Sequence, residues 1–449
     1  VSFDGEQVIA PSKLGMLFAE HHGFERGLAI AGSARASKDT TWEQPWGERR
    51  LVRDQHNELA VTFKPSDGPD RQITVRFRAF DTGIGFRYEL AEQDALGGDI
   101  AIVEELTQFG VGEKTTMWYT PSDEFNRYEY LTRIAPAGKV DDAHTPATFR
   151  NEAGIHFSIH EAALVDYSGM NLTRVEDRKL KAALTPGIGE GKVVRAAPFD
   201  TPWRTLLLSD DAAGLAMSSL TLNLNEPNAL GDVSWVKPMK YVGVWWEMHL
   251  ELKSWASGPK HGATNENVRK HIDFAAKHGF GGVLVEGWNV GWDGDWFGNG
   301  EDFSFTQSYP DFDLEALSRY ARSKGVVLIG HHETSGNAAH YEEQMGDAFD
   351  LYQRVGVPAV KTGYVADASQ AKVTGADGQR HYAWHEGQDM ARHHLKVVTE
   401  AAKRHIAVNP HEPIKDSGLR RTYPNWITRE GARGMEFSAW GQPGNPPEH

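Results

Sequence analysis

The sequence predicts a large antiparallel β-sandwich over residues 1–235, followed over 236–449 by a (β/α)8 TIM-type barrel represented by about six βα units. Three observations carry that prediction. Apolar and polar residues alternate through the first half, a helix-then-apolar-strand unit recurs in the second, and a carboxylate follows one apolar run after another. A length of 449 residues accommodates two such units.

In the first unit Gln72 to Phe80 alternates apolar and polar residues, and Gly83 to Leu90 continues the pattern after Asp81-Thr82, which reads as a hairpin. Further short runs at Gly154 to His160, Leu206 to Ser209 and Leu220 to Leu224 are separated by Gly, Pro, Asn and Asp and read as strands of the same sandwich. The pattern changes near Ser234 to Pro238. From there a helix over about Asn265 to His278 places Val268, Ile272, Ala275 and Ala276 on one face and stops at Gly279, before the apolar run Gly282 to Val285. A second helix over about Leu314 to Lys324, N-capped by Asp313, precedes Val326 to Ile329, and a third containing Val397, Val398 and Ala401 precedes Ile406 to Asn409. With Tyr241–Trp246, Ala359–Thr362 and about Met435–Ala439, the expected parallel strands number six. Two further barrel strands and any later domain are expected to lie outside this sequence.

Composition narrows the chemistry. The formal charge is −15 with no long basic run, which argues against nucleic-acid and anionic-membrane partners. The absence of cysteine excludes disulfides, thiol nucleophiles and Cys-ligated zinc. No stretch has the length of a membrane-spanning helix, and Val1 to Gly5 has neither a basic start nor an apolar signal core, so the numbering is expected to begin at a mature or trimmed end.

Active sites of parallel barrels lie at the carboxyl ends of the strands, where this sequence offers Glu286, Glu333, Glu412 and Glu436. Trp245, Trp246, Trp288, Trp292 and Trp296 lie nearby in sequence. Indole faces stack on sugar rings and paired carboxylates supply acid and base, so the combination suits a carbohydrate site. His331-His332-Glu333 and His411-Glu412 lack the His-Glu-x-x-His helical spacing, and adjacent strand residues point opposite ways, which disfavours zinc. A glutamate cluster without cysteine favours calcium if a metal binds.

The stretches Val285-Glu286-Gly287-Trp288-Asn289, His331-His332-Glu333-Thr334, His411-Glu412-Pro413, Arg421 to Asn425 and Thr428 to Glu436 resemble glycoside hydrolase family 97. Trp42 to Gly47, Pro202 to Thr205 and Leu222 to Pro227 resemble its N-terminal sandwich. The resemblance implies a calcium-dependent exo-acting α-glycosidase with a sandwich, a catalytic (β/α)8 barrel and a C-terminal β domain, the last expected outside this sequence. It makes Glu436 the general acid and Glu333 with Glu412 the base side. It assigns calcium to Glu412 and Glu430, with Glu436 and a sandwich glutamate placed at Glu129 completing the set. Glu286, Trp288, His331 and His411 are the candidate substrate-binding residues.

Retaining members of that family use an aspartate near the tip of the fourth barrel strand. Here the strand reads Ala359-Val360-Lys361-Thr362-Gly363-Tyr364, with no acid at that place, so the resemblance implies inversion on starch-like or related α-glucosides. Inversion requires carboxyl groups about 6.5–9.5 Å apart. A retaining α-galactosidase and a truncated, non-catalytic carbohydrate- or calcium-binding fragment are the alternatives. A periplasmic or secreted location follows from the resemblance; the oligomeric state is left open.

Overall fold

The computed structural model describes residues 1–67, 70–122, 128–439 and 441–446. The expected hairpin forms: Ile73–Phe80 pairs antiparallel with Gly83–Leu90, Val75 opposite Tyr88 and Phe77 opposite Phe86. Ile73, Val75, Phe86, Tyr88 and Leu90 are buried, so the alternation places one face on the core. Gly83 turns the chain at φ +138°, where the Leu206 carbonyl leaves no room for a side chain.

This hairpin sits inside a ten-stranded antiparallel sheet. His156–Ala162 and Trp203–Ser209 pair along their whole length, from His156 opposite Ser209 to Ala162 opposite Trp203. Leu28–Glu43 forms the outer edge and is mostly exposed. A four-stranded sheet containing Met170–Glu176 and Lys179–Leu184, and a three-stranded one containing Asp99–Glu105, complete the first unit. Leu220 to Leu224 is not a strand; Leu220–Asn223 is a single helical turn. The Asn223 side chain holds it there, accepting from Trp42 Nε1 at 2.9 Å and donating to the Arg53 carbonyl at 2.9 Å.

The second unit is a five-stranded parallel sheet in the order Tyr241–Val244, Gly282–Val285, Val327–Glu333, Ala359–Gly363, Ala407–Pro410. Among the described residues the sheet does not close into a barrel. The sixth expected strand is a 3-10 turn, Met435–Ser438, whose backbone bonds close locally (Phe437 N to Gly434 O, 3.3 Å; Ala439 N to Glu436 O, 2.9 Å). The first strand ends at Val244, and Trp246 instead opens the short helix Trp246–His249.

The connecting helices follow their sequence signals. Thr264 Oγ1 accepts from Asn267 N at 3.2 Å to cap Asn265–His278, which ends at Gly279 in the left-handed region. Asp313 caps Leu314–Ser323 through Ala316 N at 2.9 Å. Val397, Val398 and Ala401 are buried in Gln388–Ala402. The structure adds a helix that is not among those expected from the sequence, Ala338–Val355, which packs Tyr341, Met345, Phe349 and Tyr352 into the core.

A buried ionic chain joins the two units. Arg204, fully buried, binds Glu105 and Glu161 at 2.6 Å each. Lys415 reaches Glu161 at 3.3 Å and Glu386 at 3.2 Å, and Glu386 also binds His144 at 2.8 Å and accepts from the Tyr128 hydroxyl. Every charge in this chain has an opposite partner, the condition under which buried ions persist.

Candidate active site

One pocket at the carboxyl ends of the parallel strands collects the expected acids. The third strand, Val327–Glu333, supplies His331 and Glu333, which are two apart and so share a face. His332 points the other way, its Nδ1 2.9 Å from the Tyr341 hydroxyl. The fourth strand supplies Lys361 and ends at Gly363, and the segment after the fifth supplies His411 and Glu412. Glu430 is drawn alongside by its backbone N–H to Pro410 O, 2.9 Å, and the 3-10 turn presents Glu436. The first unit contributes Glu129. Glu412 holds φ +43°, a left-handed conformation that costs a non-glycine residue about 1–3 kcal/mol and that clusters at functional sites.

Glu333 is almost fully fixed. Its Oε1 accepts the backbone N–H groups of Thr334 (3.0 Å), Ser335 (2.7 Å) and Val365 (3.1 Å), leaving Oε2 facing His411 Nε2 at 3.0 Å. His411 Nδ1 meets the Glu412 carboxylate, and its Nε2 lies 3.2 Å from His331 Nε2. Two cations could not sit so close. Burial pushes the His331 imidazole down to about 4, whereas Glu412 and Glu333 overcome burial and hold His411 well above its ordinary value, so His411 carries the proton.

The other acids divide by environment. Glu286 is buried, which alone would raise it, yet Lys361 at 3.2 Å, His331 and His411 bring it down to about 2; Trp255 Nε1 donates to it at 2.9 Å. Burial and then the charges of Glu412, Glu436 and Glu430 push Glu129 up to about 9. Burial, Glu430 and Glu412 push Glu436 up to about 7, and His249 Nε2 lies 3.3 Å from it. One carboxylate oxygen each from Glu129, Glu430 and Glu436 lie within 4.8 Å of one another.

Trp245, Trp255, Trp292, Trp296 and Phe297 form the apolar wall. The Trp255 and Trp292 rings stack at 6.2 Å and 17° between planes. Trp288 is not part of that wall: it is 1% exposed, its N–H donates to the His331 carbonyl at 2.8 Å, and its ring packs on Phe312 and Tyr352. Gly287 at φ +75° turns the chain so that Trp288 enters the core behind the strand tips. Lys361, Trp255 and His249 are pocket residues that sequence reasoning passed over. A lysine inside an otherwise apolar strand was the readable signal for Lys361, since lysine is rarely buried without a partner.

A unit of antiparallel sheets joined to a parallel α/β sheet, with carboxylates and indole faces gathered at the strand tips, defines a carbohydrate-processing architecture. The family model described as Glycosyl-hydrolase 97 N-terminal matches residues 1–227, and that described as Glycoside hydrolase 97 matches 245–432. A solved glycoside hydrolase family 97 enzyme from Pseudoalteromonas sp. strain K8, in complex with acarbose, is 53% identical with a TM-score of 0.97, over 100% of this chain and 68% of that one. The same enzyme has been solved as a single-site variant with panose. A retaining alpha-galactosidase of Bacteroides thetaiotaomicron is 23% identical over 99% of this chain, and a probable retaining alpha-galactosidase of Streptomyces bingchenggensis 25% over 97%. The chain spans 65% and 61% of the length of these two relatives. This chain belongs to glycoside hydrolase family 97.

Proposed function

We propose that the protein is an inverting, calcium-dependent, exo-acting α-glucosidase that releases glucose from starch-like or related α-glucosides. The observation that carries the reading is the crowding at Gly363. A Cβ there would fall well inside contact distance of Glu333 Oε2 and His411 Nε2. An aspartate nucleophile at this tip would require the Glu333 and His411 side chains to move out of the arrangement they hold here, and this chain has glycine with the pair in place. The acarbose and panose bound by the Pseudoalteromonas relative favour glucosides.

In this reading Glu436 protonates the glycosidic oxygen, a role suited to a carboxyl raised to about 7. Glu333, locked by three backbone N–H groups, and Glu412 take the proton of the attacking water on the opposite face. His411 bridges these two carboxylates and fixes their separation. Glu286, kept ionised by Lys361, accepts from sugar hydroxyls, and the indole wall stacks on ring faces.

Calcium fits the acid cluster on chemical grounds. Glu129, Glu430 and Glu436 offer only oxygens, and their mutual repulsion, expressed in the raised Glu129 and Glu436, asks for a cation. Glu129, Glu430 and Glu412, with Glu436 adjoining, would hold it. When bound, calcium supplies positive charge that polarises sugar hydroxyls and eases deprotonation nearby. A periplasmic or secreted location belongs to the same reading, because such sites suit the high calcium of extracellular media. No described helix is long and apolar enough to cross a membrane.

Proton NMR of freshly released sugar, with calcium present, tests the reading. β-Glucose from an α-glucoside is expected. α-Galactose from an α-galactoside would install the second reading, which the two α-galactosidase relatives favour. Release from neither substrate would leave a non-catalytic carbohydrate- or calcium-binding fragment.

A further inference from the structure

A His-Glu-x-x-His pattern sets both imidazoles on one helix. The fold supplies a different route, because His331 and Glu333 share a strand face and His411 arrives from another strand tip. We propose that His331 Nε2, His411 Nε2 and Glu333 Oε2 form a three-donor site for a zinc-class divalent ion, and that occupation of this site silences the enzyme. The inhibitory half rests on the hydrolytic reading; the binding half does not.

The three donor atoms lie within 4.8 Å of one another, His331 to His411 at 3.2 Å and His411 to Glu333 at 3.0 Å. Zinc bonds of about 2.0–2.2 Å in tetrahedral array separate neighbouring ligands by roughly 3.3 Å. The two pairs that involve His411 thus need adjustment of only tenths of an ångström, and His331 and Glu333 lie within 4.8 Å of each other. The ion would replace the proton that His411 Nε2 shares with Glu333 Oε2.

The surroundings are those of a supported ligand set. His411 Nδ1 is held by the Glu412 carboxylate, the outer-shell partner that orients metal-bound imidazoles. Glu333 Oε1 is saturated by backbone N–H groups, so Oε2 is the oxygen left to ligate. The His331 ring is clamped by stacking on Trp292, with centroids 5.8 Å apart. The space between the donors exists because Gly363 has no side chain: its Cβ would collide with both Glu333 and His411. The fourth position opens into the pocket, as in catalytic rather than structural zinc sites. The set is chemically distinct from the oxygen-only Glu129–Glu430–Glu436 cluster, since borderline metals prefer imidazole and calcium does not. An ion here would take the oxygen of Glu333 that activates water.

The test uses the full chain with calcium in the buffer. Zinc is titrated by calorimetry, and cobalt(II) is titrated as a spectroscopic probe. One ion per chain is expected, with the intense visible bands of four- or five-coordinate cobalt and loss of glucosidase activity that a chelator, not tenfold more calcium, reverses. His331→Gln and Glu333→Gln should each weaken zinc at least about 100-fold, since even outer-shell partners are worth about 10–100-fold. Glu430→Gln should leave zinc affinity within a few-fold. His411→Asn provides an independent ligand deletion should His331→Gln not fold, judged by circular dichroism. Absence of stoichiometric zinc, or zinc lost in Glu430→Gln and kept in both histidine variants, overturns the proposal. Zinc bound at the histidines of a protein that hydrolyses nothing would instead overturn the hydrolytic reading and leave the site standing.

Discussion

Glu436 is the residue on which the proposed chemistry turns. It sits on a 3-10 turn among other acids, and burial with Glu430 and Glu412 raises it to about 7. Glu436→Gln is expected to lower kcat/KM on poor leaving groups by about 10²–10⁴-fold, while activated aryl glucosides suffer far less. Equal losses on both classes of substrate would remove Glu436 from the acid role. The tip glutamates were readable because each ends an apolar run, and position at a strand tip is itself a chemical address. Trp288 was misread for the same reason: adjacency to a tip does not say which way the chain turns, and a positive φ at Gly287 sent it inward. Glu129 had no local signal at all; only the resemblance singled it out, because a segment of the first unit reaches the parallel strand tips through tertiary packing.

At the scale of elements, the hairpins and capped helices were legible because alternation and cap residues are local properties. Leu220–Asn223 and Met435–Ser438 were not, since a four-residue apolar run carries too little periodicity to separate strand from helical turn. The segment 411–416 shows what sequence cannot display. Within six residues it carries His411 and Glu412 in the pocket and Lys415 in the ionic seam. Glu386 is the joint of that seam, binding Lys415, His144 and Tyr128 at once. Breaking one partner of a buried pair costs on the order of 3–5 kcal/mol. Glu386→Gln is accordingly expected to lower the free energy of unfolding in urea by that amount, moving the midpoint down, and an unchanged midpoint would show that the seam contributes nothing to stability.

For the whole molecule, pH is the revealing variable. Burial holds His160 and His331 near 4, and holds His332 and His394 well below the ordinary value of 6.5. Between pH 6.5 and 4 the unfolded chain binds protons that the folded chain refuses, so these groups make stability fall as pH falls. The loss is on the order of 3 kcal/mol each for His160 and His331. Glu129 and Glu436 act in the opposite sense, because their folded values lie above the ordinary 4.5, and their cost accumulates as pH rises toward about 9 and about 7. Above 6.5 the contribution of these four histidines is complete, and Glu129, Glu436 and His411, whose folded value is also raised, together make stability fall as pH rises. Without metal, the melting temperature is expected to peak near pH 6.5 and decline on both sides; calcium should remove the Glu129 share of the alkaline decline and leave the His411 share and the acid decline. An alkaline limb insensitive to calcium would show that the acid cluster is not its site.

Glu129 has a consequence for how this chain can be divided or rebuilt. The pocket's walls, base and acid all belong to the second unit, so that unit alone looks like a self-sufficient enzyme. It is not, for one carboxylate of the acid cluster arrives from the other side of the seam, beside a tyrosine that the seam itself grips. Cutting the gene between the units is expected to leave the second half without Glu129 and the first half without the rest of the pocket. A graft of another family member's sandwich would succeed or fail on where one tyrosine–glutamate pair lands, whatever the quality of the rest of the fold.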